Sequence, residues 1–404
     1  MKRPVVTEPS AKNRLLDESF YRCALEATER AVGPEHPDTL ASVDDLAMFF
    51  YSRWNFVAAE PLLRRALESR ELTLGPENSD TLVSVDHLAM FLESQGRLAE
   101  AEPLYRRSLE AHERMLGPEH RDTLTSANRL AMLLYSQCDY AAAEPLLRSA
   151  LETCERVLGP EDPDTLISVS NLATILESKR EDAEAEALHR RALDASERIL
   201  GREHSETLSN INNLGMFFYG RWDYAAAEPL LRRALESRER ALGPDHPDTL
   251  TSVNNLALLL ESQGNLTAVE PLYRRALEAS ERVLGPEHPD TLTSVSNLAM
   301  LFLDRLDYAT AEPMLRRALA GRERVLGPDH PNTLASVNSL ASMLESKGNY
   351  AAAEPLFRRA LDGLERKLGI EHLNTQLCQR NLQRCRKLLE QENQPRRPRW
   401  RFWR

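Results

Sequence analysis

The stretch LGPDHPDTL, residues 242–250, recurs in close variants every 42 residues along the chain. Nine glycines share that spacing, and they are Gly33, Gly75, Gly117, Gly159, Gly201, Gly243, Gly285, Gly327 and Gly369. A fixed period of this length is typical of one supersecondary motif stacked on copies of itself. The chain is therefore expected to form a repeat array, and a globular core around a buried catalytic cleft is not expected.

Two helices are predicted in each 42-residue repeat. At residues 248–284, apolar residues recur three and four positions apart in two runs, which places them on one face of each helix. Asn265 is predicted to cap the second helix, and Gly285 is predicted to end it. Asp or Asn recurs at the cap position as Asn55, Asp139, Asp223, Asp307 and Asn349. Proline lies inside seven of the eight second helices, where it deletes a backbone hydrogen bond, so a late start or a bend is expected.

The composition indicates which cellular compartment and which class of protein to expect. The chain has 404 residues, of which 42% are hydrophobic and 28% are charged, and its net charge is −11. Its first residues lack the apolar run of a signal peptide, and no stretch approaches the ~20 apolar residues of a membrane span. The five cysteines occupy different repeat positions, so the repeat encodes no shared disulfide or metal framework. A cytoplasmic protein with reduced thiols is the expectation.

Small residues recur at three positions of each repeat, as Ala299, Ala311 and Ala318 do in the seventh. This spacing, with Leu and Tyr between, resembles the tetratricopeptide repeat. The 42-residue period, with NNLA and AEPLLRRALE inside each repeat, is similar to the variant in the kinesin light chain and nephrocystin-3 families. The resemblance covers residues 12–392. It implies an all-α fold, a right-handed α-solenoid of tetratricopeptide-like helix pairs.

The domain organisation follows from the same register. Residues 1–11 are expected to be disordered, residues 12–392 to form the solenoid, and residues 393–404 to form a basic aromatic tail. Within the solenoid, a half repeat at 12–37 precedes eight helix-pair repeats from 38 to 373, and a second half repeat fills 374–392. Both halves are interpreted as caps, with head-to-tail stacking between molecules as the alternative. Kinesin light chains carry an N-terminal coiled coil, and no such segment is predicted before residue 12.

Two recurrent series are interpreted as structural. Arginines stand one helical turn from glutamates, as Arg232 does from Glu228, which predicts a mixed-sign outer face without a cationic stripe for phosphates. A histidine recurs at the loop corner, where neighbouring copies are too far apart to share a metal. No phosphate-binding glycine loop, HExxH or GxSxG motif occurs. No enzyme activity, no cofactor and no metal site is therefore predicted.

Candidate binding residues lie on the face of each first helix that is opposite its core. In tetratricopeptide proteins the first helices line the concave side, so the resemblance implies that this face lines a groove. The amide side chains predicted to bind there are Asn171, Asn212, Asn213, Asn254, Asn255 and Asn297. A methionine row holds Met48, Met90, Met132, Met216 and Met300. A third row holds Tyr51, Tyr135 and Tyr219.

These residue types suit a peptide ligand. An asparagine amide both donates and accepts hydrogen bonds, so a row of amides can pair with the backbone of an extended peptide. Methionine is flexible and adapts to varied apolar anchors. The alternative is that Met and Tyr only pack against the preceding repeat. Light-chain grooves are similarly lined with helix asparagines, and the resemblance implies this role for Asn171, Asn213, Asn255 and Asn297.

Charge along this face is uneven. Its N-terminal part carries Asp44, Asp45, Asp86 and Glu93, whereas the centre is mostly amide. Light-chain grooves favour tryptophan flanked by acidic residues, and acids at this end disfavour such a ligand. A basic or neutral protein or peptide partner is predicted instead.

The tail departs from the repeat pattern. It combines five arginines with aromatic residues, and its predicted contact residues are Arg399, Trp400, Arg401, Phe402 and Trp403. Arginine interleaved with tryptophan suits anionic membranes, nucleic acid or an acidic protein surface. Three interpretations stay open, namely an inert tail, membrane or nucleic-acid binding, and docking in an acidic groove of its own or a neighbouring molecule.

A duplicated block of four repeats favours a surface repeated with variations over a one-copy catalytic site. The leading prediction is a non-catalytic protein–protein interaction scaffold that binds extended peptide segments in the groove formed by the first helices. One alternative is an adaptor that the tail targets to an anionic membrane or nucleic acid. The other is the sensor array of a multi-chain signalling system.

Overall fold

The computed structural model describes residues 18–370 and 372–393, without the side chain of Leu266. The described residues form eighteen α-helices and no strand, which confirms the predicted all-α repeat solenoid. The chain divides into two compact units, unit 1 at residues 1–288 and unit 2 at residues 289–404. None of the helices in the described part of the chain has the length and apolar character that a membrane crossing requires.

The described part of unit 1 contains thirteen helices: α1 (Glu18–Val32), α2 (Pro37–Ser52), α3 (Phe56–Leu74), α4 (Ser79–Ser94), α5 (Leu98–Leu116), α6 (Arg121–Ser136), α7 (Tyr140–Val157), α8 (Pro163–Lys179), α9 (Asp182–Ile199), α10 (Ser205–Gly220), α11 (Tyr224–Leu242), α12 (Pro247–Ser262) and α13 (Leu266–Leu284). The described part of unit 2 contains five: α14 (Pro289–Asp304), α15 (Tyr308–Val325), α16 (Pro331–Ser346), α17 (Tyr350–Leu368) and α18 (Leu373–Asn393).

Consecutive helices pair as the first and second helix of each repeat, so that α2 packs on α3 and α4 packs on α5. The apolar face predicted from the sequence is the buried one. In α4, Leu82, Val85 and Ala89 are buried, and in α5, Ala101 and Tyr105 are buried. Within unit 1, second helices such as α3 and α5 also pack on the first helix of the next repeat, so the core continues from repeat to repeat.

The last described helix, α18, has a polar outer face. Thr375, Cys378 and Leu382 are buried in it. By contrast, Gln379 and Gln383 are exposed, although their counterparts in α2 are the buried Val43 and Ala47. The face that inner first helices bury against a second helix is therefore polar in α18.

Each repeat ends at a corner glycine in a backbone conformation that other residues rarely adopt. Gly75, Gly117 and Gly243 have φ of 87–94° and ψ of 162–165°. No heavy atom lies within 4 Å of a Cβ built at these three positions, so backbone conformation and not space requires glycine. In five corners a threonine hydroxyl donates to the glycine carbonyl at 2.7–2.8 Å, from Thr39, Thr81, Thr123, Thr165 and Thr249.

The corner histidines cap the first helices. In six corners the imidazole Nδ1 accepts a hydrogen bond from the backbone N–H two residues on, at 3.1–3.3 Å, in His36, His120, His204, His246, His330 and His372. Asn78 and Asp162 accept the same bond at 2.9 Å in their corners. A side chain that accepts from the first turn satisfies a backbone donor that would otherwise lack a partner in the helix.

Most predicted caps of the second helices are present. Five accept a hydrogen bond from the backbone N–H three residues on, at 3.0–3.3 Å: Asn55, Asp139, Asp223, Asp307 and Asn349. Asn265 occupies the cap position without a side-chain bond to the backbone. Pro61 lies inside the unbroken helix α3, so the expected late start of the helix is wrong there.

The outer arginines pair with acids as predicted. Arg232 contacts Glu228 at 2.7 Å, and Arg274 contacts Glu270 at 2.9 Å, each within one helix. Other pairs join neighbouring repeats, as the 2.6 Å contact between Arg275 and Glu239 does. These half-exposed pairs contribute little individually, in the range of ~0–1 kcal/mol. They leave a mixed-sign surface.

Replacing Gly117 by alanine tests the corner constraint. We expect Gly117→Ala to lower the free energy of unfolding by about 1–3 kcal/mol, because alanine must adopt a conformation that is almost exclusive to glycine. The control is Gly264→Ala, at the turn between α12 and α13, where other repeats carry non-glycine residues with positive φ. Urea denaturation followed by circular dichroism measures both variants. Equal losses for the two variants would contradict the special role of the corner.

Candidate functional site

The candidate surface consists of the first-helix residues that stay partly accessible between neighbouring first helices. We call it the first-helix face. In α2 it comprises Asp45, Met48 and Tyr51 beside the buried Asp44, and the accessible residues at 42-residue spacing continue it through the other first helices. It is described separately for unit 1 and for unit 2.

All the predicted binding residues on this face are partly accessible. In unit 1 the half-buried ones are Asn171, Asn212, Asn213, Asn254, Asn255, Met48, Met90, Met132, Met216, Tyr51, Tyr135 and Tyr219. In unit 2, Asn297 is half-buried and Met300 is 36% exposed. The alternative of simple packing thus accounts for part of each side chain and leaves the rest accessible.

Amides on this face connect neighbouring first helices. Nδ2 of Asn255 donates to Oδ1 of Asn212 at 2.8 Å, and Nδ2 of Asn171 donates to Oδ1 of Asn128 at 3.4 Å. Arg129 and Asp86 form an ion pair at the same repeat spacing. The sequence row therefore contains an amide ladder in which one residue of each pair donates to the preceding repeat.

The third row alternates between tyrosine and glutamate in unit 1. The Tyr135 hydroxyl lies 3.1 Å from the Ser178 hydroxyl, and the Tyr219 hydroxyl lies 3.0 Å from that of Ser262. In each case the serine belongs to the next repeat. The ring of Tyr51 packs near Phe91, with centroids 6.3 Å apart. The hydroxyls thus tie the row together while the rings stay half accessible.

Two glutamates of the same row accept hydrogen bonds from tyrosines of the second helices. The Tyr105 hydroxyl donates to Oε2 of Glu93 at 3.0 Å, and the Tyr273 hydroxyl donates to Oε2 of Glu261 at 3.0 Å. Burial raises the pKa of Glu93 to about 7, although the hydrogen bond from Tyr105 and the charge of Arg129 act in the opposite direction. The same burial and the adjacent carboxylate raise the pKa of Tyr105 well above its usual value.

The acids at the N-terminal end carry less exposed charge than the sequence indicates. Asp44 is 6% exposed and pairs with the buried Arg70. Asp86 pairs with Arg129. Only Asp45 is exposed, and its pKa is raised by partial burial and then by the charge of Asp44. The acidic character predicted for this end is therefore reduced to Asp45 and to the ionised fraction of Glu93.

Three buried arginines were missed by the sequence reasoning, namely Arg70, Arg238 and Arg322. Arg238 is 5% exposed and donates to the Ser252 hydroxyl at 2.8 Å and to the Ser209 hydroxyl at 3.2 Å. Burial lowers its pKa. Arg322, in unit 2, donates to the Thr293 hydroxyl at 3.0 Å, and burial lowers its pKa to about 10. The available signal was an arginine at a second-helix position that is Ser, His, Cys or Leu in other repeats.

The first repeat differs from the fifth in the partner of this arginine. Arg70 pairs with Asp44, and the residue at the position of Asp44 in the fifth repeat is Asn212. Arg238 therefore has an amide where Arg70 has a carboxylate. Within the described part of the chain, the charge that acts on Arg238 is that of Asp248.

The predicted tail residues lie outside the described residues, and they are Arg399, Trp400, Arg401, Phe402 and Trp403. The predicted disordered segment at residues 1–11 also lies outside them. Among the described residues, no group of three or more His, Cys, Asp or Glu side chains is arranged to hold a metal ion.

Family models for the tetratricopeptide repeat match the chain at residues 39–80, 79–156, 122–198, 165–236, 206–279, 254–324 and 295–366. These matches span most of the chain. The chain belongs to the tetratricopeptide-repeat family. Members of this family generally mediate protein–protein interactions and are typically non-catalytic scaffolds. They bind protein or peptide partners.

Solved structures similar to this tetratricopeptide-repeat chain include kinesin-light-chain-type repeats. Nearly identical repeats of this type from Podosopora anserina are 22% identical over 50% of this chain and 95% of that one, with a TM-score of 0.44. BtubC (BKLC) from P. vanneervenii is 25% identical over 58% of this chain and 92% of that one, with a TM-score of 0.45. A Rap protein complexed with Competence and Sporulation Factor is 15% identical over 87% and 99%, with a TM-score of 0.49. No curated protein matches the chain significantly.

The substitution Asn212→Asp tests whether Arg238 is destabilising because it lacks an adjacent carboxylate. We expect Asn212→Asp to raise the free energy of unfolding by about 1 kcal/mol, because a carboxylate at this position reproduces the pairing of Asp44 with Arg70. The neighbouring substitution Asn213→Asp is the control and is not expected to stabilise the protein. Urea denaturation at neutral pH compares them. A loss of stability in Asn212→Asp would contradict the interpretation.

The pKa of Glu93 predicts a pH dependence of stability. The folded state keeps a proton that the unfolded chain releases, so the contribution of this group to stability falls as pH rises from about 4.5 to about 7. Glu93→Gln keeps an oxygen that accepts from Tyr105 and carries no charge. We expect the variant to melt at a higher temperature than wild type above pH ~7 and to lose that advantage below pH ~4.5. Thermal melts across this range measure the difference, and a constant difference would contradict it.

Proposed function

We propose that this tetratricopeptide-repeat protein is a non-catalytic scaffold that binds extended peptide segments along the first-helix face. The observation that carries the proposal is that the predicted asparagine, methionine and tyrosine residues of unit 1 are all half-buried on this face. Side chains in this state are positioned by their neighbours and still present a surface to a ligand. The face would line the concave side, as the family resemblance implies.

The amide ladder supports backbone recognition. An asparagine side chain offers two donors and an acceptor with two lone pairs, so the single ladder bond from Asn255 to Asn212 leaves capacity on both residues. No side-chain hydrogen bond of Asn213 occurs within the described residues, so the amide of this half-buried residue keeps donors and an acceptor for a ligand. Amides that pair with a peptide backbone impose few requirements on the peptide sequence.

Methionine and tyrosine supply the apolar part of the proposed contact. Met48, Met90, Met132 and Met216 recur in one row of unit 1, and a flexible thioether adapts to different apolar side chains. The rings of Tyr135 and Tyr219 are anchored through their hydroxyls, which lowers the entropy lost when a ligand packs on them. Such a surface would accept several peptides of related character.

The partner is proposed to be basic or neutral. The support is the exposed Asp45 together with Glu93, which can lose its proton when a cationic group approaches. The two ion pairs described above neutralise Asp44 and Asp86, so the proposed preference for positive charge is modest. Few exposed arginines compete with it on this face, and Arg129 is already paired with Asp86.

The proposed domain organisation keeps the half repeats as caps of the array, at residues 12–37 and 374–392, around eight helix pairs. The polar Gln379 and Gln383 of α18 support capping, because a helix that stacked on another molecule would bury them. Residues 393–404 are proposed to be a separate basic aromatic tail.

A defined peptide selection tests the proposed function. Unstructured peptides displayed on phage are selected on wild-type protein and then measured on a variant carrying Asn171→Ala, Asn213→Ala and Asn255→Ala, all in unit 1. We expect the affinity to fall at least roughly tenfold, because three amides that bond the peptide backbone are removed. The single variant Asn213→Ala, which removes no internal side-chain bond, separates lost binding from lost stability.

The matched control changes the outer face, with Arg232→Ala, Arg274→Ala and Arg316→Ala. These arginines belong to pairs within single helices, so the control is expected to bind the selected peptides as wild type does. Equal affinity of the asparagine variant and this control would contradict binding along the first-helix face.

The second candidate function is targeting by the tail, and the specific observation behind it is the run of arginines and aromatic residues at 396–404. Vesicles of anionic lipid and a short single-stranded RNA are the probes. Binding of either by the full chain, lost on deletion of residues 394–404, would favour the adaptor over the peptide scaffold.

A further inference from the structure

The turn between the first and second helix of each repeat contains one residue with positive φ. Glycine occupies this position in three repeats, as Gly96, Gly264 and Gly348. Five repeats have other residues there: Trp54, Cys138, Arg180, Trp222 and Leu306. A bulky side chain at positive φ is uncommon, because its Cβ crowds the backbone. Two repeats thus have tryptophan at a position where glycine would adopt the positive φ with less strain.

Trp54 has a packing partner far along the chain in unit 1. Its ring meets the ring of His288 edge to face, with centroids 5.2 Å apart. His288 is the corner histidine that follows α13, and Trp54 also packs on Phe56 at 5.4 Å. The turn of the first repeat therefore contacts a corner loop of unit 1 that is not its neighbour in sequence.

Trp222 is the counterpart of Trp54 in the fifth repeat and stands in a different environment. It has φ of 64° and is 78% exposed. Its ring lies 6.1 Å from that of Tyr224, which is the counterpart of Phe56. Both tryptophans therefore pack on the aromatic residue two positions on. The ring surface with which Trp54 contacts His288 is, in Trp222, exposed to solvent.

Corner loops that match the loop of His288 are accessible elsewhere in unit 1. The sequence at His288 is Glu-His, preceded by proline, and the same Glu-His pair occurs at His36, His120 and His204. These three histidines are exposed. Arg221, which precedes Trp222, is paired with Asp182, and Glu119 and Glu203 are paired with Arg156 and Arg240. The match between the two segments therefore rests on the aromatic rings and not on free charges.

We propose that Trp222 docks on an exposed histidine corner of a second copy of this chain. This contact between two molecules would have the same form as the packing of Trp54 on His288 within one molecule. Because each copy carries both Trp222 and the exposed corners, a two-fold arrangement makes the contact twice. The peptide-binding proposal does not depend on this interface.

The first experiment measures mass as a function of concentration. In sedimentation velocity, wild-type protein is expected to move from the 45.8 kDa monomer towards twice that mass as its concentration rises through the micromolar range. Trp222→Gly is expected to remain monomeric, and it keeps its fold because glycine adopts positive φ freely. The matched variant Trp54→Gly, which removes the internal contact, is expected to associate as wild type does.

The second experiment observes the tryptophan itself. A variant with Trp54→Phe, Trp400→Phe and Trp403→Phe keeps Trp222 as its only tryptophan. Burial in the proposed contact shifts its fluorescence emission to shorter wavelength as concentration rises. Replacing His36, His120 and His204 by asparagine removes the rings while keeping a helix-capping acceptor, as Asn78 does naturally, and this is expected to weaken association.

Several results overturn the proposal. One is a wild-type mass that stays at the monomer value at every concentration. Another is association that Trp222→Gly or the histidine-to-asparagine variant leaves unchanged. A third is an emission shift that does not depend on concentration and disappears when residues 394–404 are deleted, because the tail would then be the occupant.

Discussion

The backbone conformation of the corner glycines is the constraint on which the rest of the structure depends. At Gly117, φ of 87° and ψ of 165° turn the chain from one second helix into the next first helix. Thr123 closes the corner through its hydroxyl, and His120 caps the helix that follows. Three residue types within seven positions thus fix how one repeat leads to the next. Because the corner hardly varies, each repeat places equivalent side chains in equivalent positions, and functional differences must come from changes in those side chains.

Equivalent position does not mean equivalent environment. Arg70 and Arg238 occupy the same place in the first and fifth repeats, yet one faces a carboxylate and the other an amide. Trp54 and Trp222 differ in the same way, since one packs on a histidine and the other is exposed. A duplicated block supplies the same residue twice, and the neighbouring repeats decide whether it stabilises the array or remains available.

Prediction from the sequence succeeded where a property belongs to the repeat itself. Periodicity predicts the helix pairs, the corner, and the pairing of outer arginines with acids, because each depends on neighbours within about one period. It failed where a property depends on side chains in two repeats together. Asp44 was interpreted as surface charge because its pairing with Arg70 needs the packing of one helix against the next. The contact of Trp54 with His288 joins residues many repeats apart, and no local pattern contains it.

The alternation of tyrosine and glutamate along the third row gives the first-helix face of unit 1 a chemical period of two repeats. Tyr135 and Tyr219 are one such period apart, and each bonds a serine in the repeat between or beyond them. Glu93 and Glu261 are held by tyrosines of their own repeats instead. A peptide bound as proposed would therefore meet an aromatic ring and then a carboxyl group in turn. Because burial raises the pKa of Glu93 to about 7, its charge near neutral pH would depend on the groups placed beside it. A repeat array built on a nearly constant corner can in this way present a surface whose chemistry varies along its length.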